Sequence, residues 1–200
     1  NNIQECIGGT ATMSVNITGG TGAISYQWEV SDNGVDGWTN ATGTGSTTAT
    51  FTPPSTVVGV KYYRVLVSAS GNGCEPVQSG VATATIFADI VISTQPVGGS
   101  ICSGGIDTLS VIASGSPGLH YQWQQQNGAS WTIVGSDQNT YITAALTATT
   151  IYRVIVSAVQ SGCDPVVSSL ATVTVYPDIV INTQPSGGSI CVGGLDTISV

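Results

Sequence analysis

Apolar and polar residues alternate with a period of two along most of this chain. In the run 12–17, Met13, Val15 and Ile17 alternate with Thr12, Ser14 and Asn16. Leu109, Val111 and Ala113 take the same places further on, and Ile198 and Val200 take them near the end. Tyr26 and Trp28 share one face of another run, as do Tyr121 and Trp123. A longer run aligns Tyr63, Val65, Val67 and Ala69, matched by Tyr152, Val154, Val156 and Ala158. A last one aligns Ala82, Ala84 and Ile86, then Ala171, Val173 and Val175. Period two is the mark of half-buried antiparallel strands. Turn-forming clusters separate the runs: TGGTG, SDNGVDG, TGTGS and TPPS in the first half. No stretch carries a helical period. The expectation is an all-β chain with about seven short strands in each stretch of ~90 residues, the layout of a β-sandwich.

The runs recur because the chain repeats itself. FADIVISTQPVGGSICSGG at 87–105 returns as YPDIVINTQPSGGSICVGG at 176–194. YRVLVSASGNGCEP at 63–76 returns as YRVIVSAVQSGCDP at 152–165. Cys191 follows Cys102, and Cys163 follows Cys74, by the same 89 residues. Cys102 follows Cys6 by 96, the extra residues falling in loops. Self-similarity at such a period means an array of stacked units. The expected division is 1–88 for a first unit without its opening strand, 89–177 for a second, and 178–200 for the opening strands of a third. Two readings account for these ends. One is a window on a longer array; the other is a tail that completes a neighbouring molecule by strand addition. The first is preferred, because the tail brings a second strand that the first unit already has. The seams at Asp89-Ile90 and Asp178-Ile179 hold no Ser/Gly linker, so an extended, semi-rigid rod is expected.

Composition narrows the function. Lys61, Arg64 and Arg153 are the only basic residues against eleven acids, for a net charge of −8. That excludes nucleic acid and anionic membrane surfaces as partners, since both are gripped by Lys and Arg in number. Hydrophobic residues make up 41% and charged residues 7%, so a packed core is expected with a surface of Ser, Thr, Asn, Gln and Gly. No run of 18 apolar residues occurs, so membrane insertion is not expected. Any export signal is expected outside these residues.

The motifs carry a resemblance. A Trp on the third strand (Trp28, Trp123) and Tyr-x-Val opening the sixth (Tyr63–Val65, Tyr152–Val154) resemble immunoglobulin-like domains. There the Tyr forms a corner, and a Cys stands where Val65 and Val154 stand here. Val15 and Val111 occupy the region of its partner, so aliphatic packing replaces the inter-sheet disulfide. QPVGGSICSGG (95–105), YQW (121–123), YRVIVS (152–157), GCDP (162–165) and SLATVTV (169–175) are similar to tandem Ig-like repeats of very large bacterial surface adhesins, those of the Bacteroidetes above all. The resemblance covers essentially the whole chain. It implies an extracellular scaffold whose partners are neighbouring repeats or subunits of the same filament.

Five cysteines, no CxxC pair and a single histidine, His120, speak for disulfides in an oxidising compartment over a metal centre. In an immunoglobulin topology Cys6 and Cys102 fall at one end of their sandwiches. Cys74 and Cys163 fall at the other, about 20 Å away for a six-residue strand. A disulfide needs Cα atoms within about 7 Å. Head-to-tail stacking therefore favours an inter-unit bond Cys6–Cys163, with Cys102 and Cys191 bonding forward and Cys74 backward. Pairing within units, Cys6–Cys74 and Cys102–Cys163, stays open because it orphans only Cys191.

Other candidates are weaker. Trp28 and Trp123 alternate with tyrosines and belong in the core. Trp38 and Trp131 are candidate glycan contacts, or pack over a sheet edge. Asp32, Asn33 and Asp36 cluster oxygens as a calcium loop would, but QQNGASW in the second unit lacks both acids; solvated turns are expected. His120 has no triad partners that recur in both units, so no catalysis and no cofactor are expected. Glu29 and Arg64 face outward as a pair. Asn16 and Asn40 head glycosylation sequons, and Thr108 and Thr197 follow Asp in the Asp-Thr-aliphatic motif that Bacteroidetes modify. The expected role is a mechanical spacer in an adhesin stalk or surface filament. The rivals are a carbohydrate-binding module and the accessory stalk of a secreted enzyme.

Overall fold

A computed structural model describes residues 1–20, 22–70, 75–159 and 162–198. Cys74 and Val200 lie outside the described residues. The first unit contains β1 (Ile3–Cys6), β2 (Met13–Ser14), β3 (Ile24–Ser31), β4 (Thr39–Asn40), β5 (Thr50–Phe51), β6 (Gly59–Ala69), β7 (Val77–Gln78) and β8 (Ala82–Phe87). The second contains β9 (Val91–Thr94), β10 (Ser100–Cys102), β11 (Thr108–Ser110), β12 (Ile112–Ser114), β13 (Leu119–Asn127), β14 (Ser130–Val134), β15 (Thr140–Ile142), β16 (Thr150–Ala158), β17 (Val166–Val167) and β18 (Ala171–Tyr176).

Each unit is an immunoglobulin-like sandwich. Its larger sheet runs β1-β8-β6-β3-β4 in the first unit and β10-β18-β16-β13-β14 in the second. All pairings in it are antiparallel except the outermost, β1 on β8 and β10 on β18, which are parallel. The opposing layer is β2-β5 in the first unit; in the second it is β11-β15 with β12-β9. The alternating residues fill the space between. Met13, Phe51 and Val65 are fully buried in one core, and Leu109, Trp123, Tyr152, Val154 and Val173 in the other. Trp28 stacks on Phe51 at 5.2 Å between ring centroids, and Trp123 on Tyr141 at 5.9 Å. Each indole N–H donates to a backbone carbonyl, Thr48 or Gln138, at 2.9 Å, which removes the cost of burying it.

The run of alternation around Val111 forms strands on both sides of that residue, because β9 pairs with β12. Around Val15 it forms only β2. Backbone groups without a neighbouring strand gain nothing from extension alone. The break between β7 and β8, like that between β17 and β18, is a serine-centred bulge. Ser79 donates its N–H to the Val65 carbonyl and accepts the Val65 N–H on Oγ; Ser168 does the same with Val154.

The segment 178–200 carries no strand among its described residues, and Ile198 is exposed. A lone pair of opening strands has no opposing sheet against which to bury its apolar face. What does form is the local turn. Asp196 accepts the N–H groups of Gly188 and Thr197, as Asp107 accepts those of Gly99 and Thr108. At Tyr152 the tyrosine corner does not form: no backbone group bonds its buried hydroxyl, which has the Thr150 side chain beside it. The ring packs instead on Tyr141 at 5.6 Å.

Candidate functional site

Cys6 closes β1 beside Phe87, at the end of the first sandwich where the chain leaves for the second. Cys163 lies between β16 and β17, at the end of the second sandwich that faces it. The two are joined by a disulfide, their Cα atoms 5.0 Å apart. The Ala88 carbonyl oxygen sits against both sulfurs, at 3.5 and 3.7 Å. Gly162, at φ +66°, brings the turn so close that a Cβ would lie 3.0 Å from the Gln4 carbonyl oxygen and 3.1 Å from Glu5 Cα. Ile90 is buried in the second core just past the seam. The bond therefore clasps a short, closely packed joint. Cys102 and Cys191 are free and exposed. Cys102 holds in the second unit the place of Cys6 in the first, at the end of a strand parallel to the last one.

The outward face of the larger sheet carries a second recurring arrangement. Glu29 stands directly opposite Arg64 across β3 and β6, and Arg64 Nε donates to Glu29 Oε2 at 2.6 Å. The same guanidinium lies 4.1 Å over the Trp38 ring. In the second unit Gln124 stands opposite Arg153, Arg153 Nε donates to Gln124 Oε1 at 2.7 Å, and the guanidinium lies 4.0 Å over Trp131. Both tryptophans are half-buried. Arginine covers one face of each ring, so a sugar has at most the other face to stack on. Nothing in the alternation pattern reveals these stacks; the recurrence of Arg64 and Arg153 beside recurring tryptophans was the available signal.

The oxygen-rich loop of the first unit is engaged with itself. Asn33 Nδ2 donates to Asp36 Oδ1 at 2.6 Å, Ser31 Oγ donates to the Asp36 carbonyl at 2.6 Å, and Asp32 pairs with Lys61. Among the described residues no three His, Cys, Asp or Glu side chains converge as metal ligands would. His120 Nδ1 meets Asp137 Oδ2 at 2.5 Å, a pair the sequence reading missed. Asp137 Oδ1 accepts the Tyr121 N–H at 2.6 Å. That backbone bond first, and the imidazole second, hold the Asp137 carboxyl below its ordinary range. The pair is exposed and isolated, and it ties the start of β13 to the loop after β14. The glycosylation candidates Asn16, Asn40, Thr108 and Thr197 are all exposed.

The fold and its joint define a tandem immunoglobulin-like repeat protein. Comparison with solved structures agrees at the level of fold. An I-band fragment of titin superposes with a TM-score of 0.60 at 14% identity, over 92% of this chain and 66% of that one. The N-terminal eight Ig domains of Down Syndrome Cell Adhesion Molecule superpose with a TM-score of 0.56 at 11% identity, over 86% of this chain and 23% of that one. The chain thus spans less than two thirds of either. No curated protein matches it significantly. The chain belongs to the family described as Domain of unknown function (DUF8696), whose model matches residues 1–88 and again 92–177.

Proposed function

We propose that this chain is a structural part of an extracellular bacterial adhesin stalk or surface filament. It acts as a mechanical spacer whose joints are reinforced by disulfides, with no catalytic role. The observation that carries the reading is the Cys6–Cys163 bond, which ties the exit of one sandwich to the entrance of the next. A tension applied along the chain enters near Cys6 and crosses the bond to Cys163, bypassing residues 7–162, and leaves through β17 and β18 of the second sandwich. Persistence of such a bond requires an oxidising compartment, and the sparsely charged, Ser/Thr-rich surface suits an exported scaffold. By repeat register, Cys102 bonds forward to a cysteine of a following unit, and Cys74 bonds back to a preceding one.

Single-molecule stretching tests the reading. The bond hides 157 residues of sequence separation, about 550 Å of extended chain at ~3.5 Å per residue. The oxidised chain is expected to lack that extension and the reduced chain to release it in two sandwich-unfolding events. Equal extension in the two states would sink the mechanical role.

A further inference from the structure

The larger sheet of each unit ends on one side in an edge strand, and the two edges are built differently. In the first unit the edge is β4, of two residues. Acids surround it: Glu29 stands opposite Asn40, and Asp32 and Asp36 occupy the turn that leads into it. Shortness and charge are how a sheet guards its edge against another strand. In the second unit the edge is β14, of five residues, Ser-Trp-Thr-Ile-Val. Residues 121–136 contain no Asp, Glu, Lys or Arg. Ile133 takes the place of Asn40, each standing opposite the residue that bonds the arginine. Ile133 is 62% exposed, and no strand among the described residues lies beyond β14.

The register fixes which main-chain groups of β14 are free. Asn127 stands opposite Ser130 across a two-residue turn, whose Gly128 has φ +60°. Such a turn closes on a hydrogen-bonded pair, and bonded and non-bonded pairs then alternate along the ladder. Ser130, Thr132 and Val134 therefore direct their N–H and C=O groups to β13. Trp131 and Ile133 direct theirs outward, as a template for another strand.

The sequence of β14 matches itself. Placed antiparallel to a second β14 about Thr132, it sets Trp131 opposite Ile133 twice. These are the residues whose groups point outward, so each such pair exchanges main-chain hydrogen bonds in both directions. Their side chains meet on the outer face of the sheet, as an aromatic on a β-branched residue, a favourable cross-strand pair. Thr132 meets Thr132 on the axis, another favourable pair. No like charges meet there, although the chain carries a net charge of −8. Arg153, over the Trp131 ring at 4.0 Å, holds that side chain in place before the contact forms, which lowers the cost of ordering it.

We propose that β14 is a self-association edge, at which two copies of this chain pair antiparallel about Thr132 and join their larger sheets across a twofold axis. The occupant is a second copy because the strand's own register supplies every partner. The contact is isologous and closes at two copies. It lies on the flank of the second sandwich, away from the Cys6–Cys163 joint, and holds neighbouring rods side by side. It does not depend on the adhesin reading.

The test uses the full 200-residue chain with Cys74, Cys102 and Cys191 replaced by Ser. Sedimentation equilibrium should show monomers and dimers exchanging with concentration, and nothing larger. Ile133→Lys places like charges on both sides of the contact and should return the protein to monomer with an unchanged circular dichroism spectrum. Ile133→Asn, which installs the residue of the first unit, should weaken the dimer about tenfold and serves should the lysine variant misfold. Thr132→Cys probes the geometry. A non-bonded antiparallel pair has Cα atoms ~4.5 Å apart, inside the ~7 Å that a disulfide allows, so mild oxidation should give a linked dimer. Thr108→Cys, exposed on the opposing sheet, should stay monomeric. A monomer at every concentration, an open-ended series of oligomers, a dimer indifferent to both Ile133 substitutions, or equally fast linking through Thr108→Cys would each overturn the proposal.

Discussion

The Cα atoms of Cys6 and Cys163 lie 5.0 Å apart although 157 residues separate them in sequence. Neither cysteine contributes to the core of the other's sandwich. Their bond therefore acts on the relative placement of two units that each have a core of their own. The chain-entropy model sets an upper limit of about 5 kcal/mol for a loop this long. Cys163→Ser should lower the unfolding temperature by less than that implies, because much of the loop is ordered by two separate cores. Its larger effect should be a broader distribution of inter-unit distances. Spin labels placed on β4 and β14 and read by pulsed resonance would measure it, and an unchanged distribution would mean that packing alone holds the joint. Non-reducing peptide mapping should recover a Cys6 peptide linked to a Cys163 peptide; recovery of a Cys102–Cys163 link would contradict the pairing.

Ser168 offers a test of the bulge. Its Oγ accepts the Val154 N–H at 3.0 Å in a buried setting, and Val154 is fully buried. Ser168→Ala leaves that N–H without a partner, which costs about 1–3 kcal/mol. Urea unfolding should show the loss in the second unit only. Ser168→Thr keeps an oxygen in reach and should recover part of it; no recovery would mean that the loss reflects packing.

Much of this arrangement is legible in the sequence. Period-two alternation places Met13, Val65, Leu109 and Val154 in their cores because the side chains of a strand point alternately to its two faces. The same alternation at Ile198 does not make a strand, since extension is stabilised by a neighbour and not by pattern alone. The Arg64–Trp38 and Arg153–Trp131 stacks escaped because each joins a central strand to the edge of the sheet, a relation that depends on lateral strand order. His120 met Asp137 for the same reason, across a loop whose path the turn residues do not specify. The bulges at Ser79 and Ser168 look like ordinary polar punctuation in the sequence. Only the structure shows their hydroxyls standing in for ladder bonds.

The Arg64–Trp38 stack should be measurable by a double-mutant cycle. A guanidinium over an indole contributes about 0.5–1 kcal/mol at a partly exposed site. The coupling between Arg64→Ala and Trp38→Ala should fall in that range. Arg64→Lys should lose most of it, because an ammonium cannot lie flat on the ring while bonding Glu29. A coupling near zero would show that the contact does not contribute to stability, and the same cycle on Arg153 and Trp131 provides an independent check.

The buried hydroxyl of Tyr152 makes the second unit sensitive to alkali. Burial first, and the neighbouring Tyr141 second, push its pKa up to about 12 from the ordinary value of 10. A folded-state pKa above the unfolded one means that the neutral phenol is favoured by folding. The corresponding stability is fully present below pH ~10 and is lost as pH rises from there toward 12. Thermal unfolding followed through this window should show a steep fall for the second unit. Tyr152→Phe removes the titrating group, a hydroxyl buried beside the Thr150 side chain. It should flatten the unit's decline between pH 10 and 12. An unchanged alkaline decline in the variant would show that a group other than Tyr152 sets it.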